Sequence, residues 1–186
     1  MAAEAAFYFD LASPQCYLAA ERVLALFGAR LEWQPVLARE RTCAAPELER
    51  SELEERARRL GLQPLRWPAD HPFDSERAML AATYAKQIGR GVAFAQAAFR
   101  QAFAGGHSLA ETDYVLIAAA ACEMHPAATT RALTRRGVRE QLAAATDDSL
   151  RAGVSALPAI RDGELLLLGD AVLDAVAERP AEALAP

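Results

Sequence analysis

The stretch Phe7-Tyr8-Phe9-Asp10-Leu11-Ala12-Ser13-Pro14-Gln15-Cys16-Tyr17-Leu18 constrains this chain more than any other part: an apolar strand runs through Ser-Pro-x-Cys into an amphipathic helix. Pro14 keeps the residue before it out of helical φ/ψ and suits the first helical position itself, so the spacing predicts Ser13 at the capping position. The first four N–H groups of a helix lack intrahelical partners, and the dipole there is positive, so a thiolate or alkoxide at that point is stabilised. Cysteines in such places have depressed pKa values. Ser13 reads either as a simple cap or as a hydroxyl that bonds the sulfur of a bound thiol and holds it as a thiolate. Cys16 lies one turn inside the helix, where packing is the ordinary use of a thiol. Alone it cannot close the intramolecular disulfide that dithiol exchange requires.

Two apolar segments, Ala6 to Asp10 and Leu31 to Val36, flank a helix whose Ala20, Val23, Leu24 and Phe27 share one face until Gly28 ends it. This is a β-α-β unit. Near the end, Leu157 to Arg161 and Glu164 to Leu168 are separated by Asp162-Gly163, a dipeptide suited to two-residue hairpin turns. A helix over roughly Ala171 to Glu178 follows, giving β-β-α. Everything between is expected to be helical. Leu53, Ala57 and Leu60 mark one helix, and Asp74 caps a second with Ala78, Ala81, Ala82 and Ala85. Val92, Ala95 and Phe99 continue to Gly105-Gly106; Ser108-Leu109-Ala110-Glu111 has the capping-box form and opens a helix that His125-Pro126 ends. Val138, Leu142 and Ala145 mark another. The predicted architecture is α/β, residues 1–43 and 153–186 forming one unit and residues 44–152 an all-helical insertion. The cleft between them is the natural site.

With 186 residues, 53% of them hydrophobic, the chain can bury a substantial core. No stretch reaches transmembrane length, and no basic region followed by an apolar run precedes the first strand, so a cytoplasmic location is expected. A net charge of −5 with both signs interspersed gives no footprint for nucleic acid. The Glu47 to Arg59 run reads as a solvated helix face. Cys16, Cys43 and Cys122 stand singly, without the spacing of a zinc site or a disulfide framework, and His71, His107 and His125 are isolated in loops. Neither a metal nor a nucleotide cofactor is expected.

Read as C-P-x-C with its first cysteine replaced, Ser13-Pro14-Gln15-Cys16 resembles the redox motif of the thioredoxin superfamily, in its DsbA-like branch. Gly153-Val154-Ser155-Ala156-Leu157-Pro158-Ala159 is similar to that family's G-V-x-x-[VL]-P-[TA] segment. The form F-Y-F-D-x-x-S-P resembles the 2-hydroxychromene-2-carboxylate isomerases and kappa-class glutathione transferases, in which serine holds the first position. Trp67-Pro68, His71-Pro72-Phe73-Asp74-Ser75 and Ala78-Met79 are similar to a middle segment of the same group.

The resemblance implies a thioredoxin-like fold with a helical insertion. It further implies thiol-linked chemistry on a small aromatic compound, glutathione as the thiol, and a possible homodimer. Ser13 and Cys16 become the candidate catalytic residues. Pro14, Tyr17, Leu157, Pro158, Asp170 and Trp67 become candidate binding residues, with the Leu157-Pro158 bond cis and its backbone offered to a peptide-like ligand. Trp33, Trp67, Tyr17 and Phe73 could line an apolar pocket, although core packing is the commoner use. The chain departs from the glutathione-dependent pattern in two places. Val36 to Cys43 and the following stretch lack its Asn and Lys, leaving Arg39 or Arg41 to supply charge, and Gly169-Asp170-Ala171-Val172 lacks the Arg of G-x-D-R. Asp170 can instead cap the last helix. Two other readings stand beside the isomerase: monothiol thiol–disulfide exchange through Cys16, and a binding module without catalysis.

Overall fold

The computed structural model describes residues 5–38 and 50–177. Four strands form one sheet in the order β2-β1-β3-β4. β1 (Ala5–Phe9) runs parallel to β2 (Glu32–Pro35) and antiparallel to β3 (Ala159–Asp162), which pairs antiparallel with β4 (Leu165–Leu168). A strand flanked on both edges and covered on both faces needs apolar residues without alternation, which explains the unbroken AAFYF sequence of β1. Phe7 and Phe9 point to the face that carries Trp33, with ring centroids 4.9 and 5.9 Å from it.

α1 (Pro14–Phe27) crosses from β1 to β2 and ends where Gly28 takes φ +64 and returns its N–H to the Leu24 carbonyl. Between β2 and β3 the described residues hold α2 (Arg50–Arg59), α3 (Glu76–Gln87), α4 (Gly91–Phe103), α5 (Thr112–Ala120), α6 (Pro126–Thr134) and α7 (Arg136–Arg151). α8 (Val172–Ala177) packs against α1. The junction expected at residues 43 and 44 lies outside the described residues. α4 contributes the fully buried Phe94, Phe99 and Phe103, and Phe99 lies 5.7 Å from Phe9, so helices and sheet share one core. Among the described residues, no helix is long and apolar enough to cross a membrane.

Four local expectations need correction. The register pairs Asp162 with Leu165, so the hairpin turn is Gly163-Glu164 rather than Asp162-Gly163, and among these only Gly163 takes positive φ. Asp162 is drawn into the strand, where its carboxylate accepts from Arg30 at 2.7 Å. The capping box at Ser108 does not open a helix. The Ser108 hydroxyl donates to Asp70 at 2.7 Å and accepts from the Ala110 amide, forming a turn, and α5 begins at Thr112. Finally, residues 60–75 are extended and turn-forming rather than helical. Pro126 starts α6 instead of merely ending the preceding helix.

Candidate active site

The loop from β1 into α1 is pinned on three sides. Asp10 is 2% exposed; its Oδ1 accepts from the Ala12 amide and its Oδ2 from the Ala38 amide, both at 2.9 Å. Its carbonyl accepts from the Ser13 amide at 3.1 Å. The Leu11 amide donates to the Met79 sulfur on α3 at 3.3 Å, which gives the Ala78-Met79 motif a local purpose. Ser13 is thereby held extended at φ −92 and ψ 117, and its Oγ accepts from the Cys16 amide at 3.2 Å. The cap uses a lone pair, and the hydroxyl also hydrogen-bonds the Cys16 side chain, from which an incoming sulfur would have to draw it. Ser13 opens onto a cavity of about 390 Å³ whose walls include Asp10, Leu37, Pro72, Phe73 and Asp74.

Cys16 lies beneath this cavity, fully buried. Burial pushes its thiol up to about 12, against the Ser13 hydroxyl and an Asp10 backbone hydrogen bond, while the Asp10 and Asp170 charges push the same way as burial. At neutral pH it is a protonated packing group. Pro14 is the first helical residue. Tyr17 is buried against Phe99 and Phe103, at 6.3 and 5.8 Å, and burial raises its hydroxyl pKa.

The four aromatic residues expected around one pocket do not share it. Trp33 belongs to the core between Phe7 and Phe9, because period-2 alternation turns it to the inner face of β2. Phe73 alone of the four lines the Ser13 cavity. Trp67 meets His71 at a tilt and Phe103 edge-on, donates its indole N–H to Glu54 at 2.7 Å and carries the Arg50 guanidinium 4.8 Å above its ring. His71, to which the sequence assigns no role, lies 6.1 Å from Phe73. Burial lowers its pKa, with the Arg50 charge acting in the same sense.

The Leu157-Pro158 bond is cis, as the resemblance implies, and the Pro158 carbonyl accepts from the Gly169 amide at 2.7 Å. Asp170 is 2% exposed and ion-paired with Arg56 of α2. Its side chain therefore does not cap α8; the Leu173 amide takes the Asp170 carbonyl instead, at 3.1 Å. Burial raises the Asp170 pKa and outweighs the opposing pull of Arg56. Arg56 also binds Asp174 at 3.0 Å, and Arg22 of α1 binds Asp174 at 2.8 Å, so α1, α2 and α8 meet in one charged cluster. Arg56 falls in the Glu47 to Arg59 run that reads as a solvated face. The available signal was its i, i+3 relation to the buried Leu53, which turns it inward. Arg39, Arg41 and Cys43 lie outside the described residues, and Cys122 is buried in the turn after α5.

The sequence pattern of the DSBA-like thioredoxin domain matches residues 5–179. No curated protein matches the chain. Among solved structures, it is similar to 2-hydroxychromene-2-carboxylate isomerase, with a TM-score of 0.80 and 18% identity over 93% of this chain and 92% of the other. It is also similar to the cytosolic disulfide reductase DsbM from Pseudomonas aeruginosa, solved with GSH, with a TM-score of 0.66 and 16% identity over 91% and 90%. A thioredoxin-like oxidoreductase from Silicibacter pomeroyi DSS-3 matches with a TM-score of 0.57 and 20% identity over 97% and 87%. At these identities the likeness concerns the fold.

Proposed function

Because the chain belongs to the DSBA-like thioredoxin domain family, we propose that it is an enzyme of thiol-linked chemistry on a small aromatic compound, working as the isomerases of this fold do. The observation that carries this reading is the contrast at the start of α1. Ser13 lines an open cavity, whereas the only thiol nearby among the described residues, Cys16, is buried and protonated. A nucleophilic sulfur must then come from outside. The same contrast weighs against monothiol exchange through Cys16.

Glutathione is the thiol the resemblance implies, and when bound it would supply a nucleophilic sulfur that adds to an unsaturated carbon and leaves again. The sulfur-holding part of the site fits this. Ser13 would donate its hydroxyl proton to the sulfur beside the positive end of α1, keeping it ionised, and Phe73 and Pro72 would exclude water from its far side. The tripeptide-holding part fits less well. Asp170, the residue that would take an amine, is already bonded to Arg56. The proposal therefore rests on an external thiol, with glutathione the first to test.

Thiolate absorbance of reduced glutathione and of β-mercaptoethanol, titrated with and without the protein, tests the reading. We expect a bound thiol ionised near neutral pH, and a pKa about one unit higher on Ser13→Ala, the loss of one hydrogen bond to a charged group. An identical thiol pKa in both proteins, or no thiol binding at all, overturns it.

A further inference from the structure

The cavity beside Ser13 adjoins another. A second cavity of about 410 Å³ shares Asp74 and Glu76 with it and extends along α3 toward α5 and α6, walled by Arg77, Leu80, Leu133 and Arg139. The two differ in charge balance, the first acidic and the second even. Among the described residues, the Ser13 cavity has three carboxylates in its walls, Asp10, Asp74 and Glu76, and no basic group. The second adds two guanidinium groups. Arg139 is engaged with Glu76. Arg77 has no ion pair among the described residues; its Nη1 donates to the Ala110 carbonyl at 3.1 Å and to Thr112 Oγ1 at 3.0 Å. An arginine oriented by neutral acceptors keeps its full charge, and its other nitrogens remain available for a planar anion.

We propose that this second cavity is a subsite for the carboxylate end of an elongated substrate whose aromatic ring rests on Phe73 and Pro72 beside Ser13. The inference relies on the thiol-linked reading only for which end of the substrate reacts. Length is the selector. A short carboxylate would lie beside Asp74 and Asp10 and be repelled, Glu76 being paired with Arg139, whereas a longer one passes Asp74 and reaches Arg77. Leu80 and Leu133 give the connecting chain an apolar wall.

Calorimetry of the full chain with ω-phenylalkanoates, from phenylacetate to phenyloctanoate, against phenylalkanols of equal length tests this without any thiol. The short acids should bind more weakly than their alcohols and the long acids about tenfold more tightly, the worth of one charge-assisted pair. Arg77→Gln should abolish the long-acid preference and leave the alcohols unchanged, while Arg77→Lys keeps part of it. Asp74→Asn should reduce the short-acid penalty. Thermal unfolding establishes that each variant is folded. A wild-type preference that does not change sign with length, or one that survives in Arg77→Gln, overturns the subsite and leaves the Ser13 reading standing. An unchanged thiol pKa on Ser13→Ala does the reverse.

Discussion

Ser13 and Cys16 start the same helix turn and meet opposite surroundings, one facing a cavity and the other sealed by the core. Sealing decides the chemistry of Cys16, because the desolvation of a thiolate outweighs the positive helix end beside it. With its thiol pushed up to about 12, Cys16 should resist iodoacetamide at pH 7 in the native chain and label quickly in urea, as followed by intact mass. Rapid native labelling would return the monothiol reading to first place. Asp10 is the residue on which Ser13 depends. Removing its carboxylate by Asp10→Ala leaves the Ala12 and Ala38 amides without acceptors, at about 1–3 kcal/mol each, and frees the loop that presents the hydroxyl. Urea unfolding should record that loss. Ser13→Ala, which removes only a cap, should cost about 0.5–2 kcal/mol.

At the level of elements, the charged cluster joining α1, α2 and α8 is the least replaceable tie. Arg56 and Asp170 are nearly fully shielded, so removing one partner strands the other. Arg56→Met is expected to cost about 3–5 kcal/mol in chemical denaturation, with most of it recovered in Arg56→Met/Asp170→Asn. The pH dependence has a definite sign. The Asp170 pKa is raised above 3.8 in the folded chain, so the folded state binds that proton more tightly than the unfolded one. Its contribution is therefore fully present below the ordinary carboxylate value and is lost as pH climbs through the raised one. Asp170→Asn should flatten the stability profile across that acidic interval, as measured by urea midpoints at a series of pH values. A profile unchanged by the substitution would show that Asp170 titrates normally.

For the whole molecule, the aromatic line from Trp33 through Phe9, Phe99 and Tyr17 to Phe103 ties sheet and helices together. Phe99 touches both Phe9 and Tyr17 and is completely buried. Truncation by Phe99→Ala should cost about 3–5 kcal/mol and lower Tm by roughly 6–20 °C in calorimetry. It should also release α4 from α1, and hence the support beneath the Ser13 cavity. A change of under about 1 kcal/mol would mean that the region can collapse around the missing ring.

What the sequence determined by itself was whatever depends on short spacing. The β-α-β start, the Ser13 cap, the Pro14 helix entry and the hairpin before the last helix all follow from residues within a few positions of one another, because caps, proline restrictions and periodic burial act over a single turn or strand. Even there, the hairpin register shifted by one residue and the Ser108 capping box was lost, each time because a distant side chain, Arg30 or Asp70, offered a competing partner. The contacts that make a site were decided only in three dimensions. Met79 reaches Leu11 over 68 residues, Arg56 reaches Asp170 over 114, and Arg77 reaches Thr112 over 35. Such pairs leave no period in the sequence, and an arginine in a charged run reads the same whether it faces water or a buried carboxylate. Folding distinguishes them, since burial sets the cost of an unpaired charge and only the packed chain shows which charges are buried.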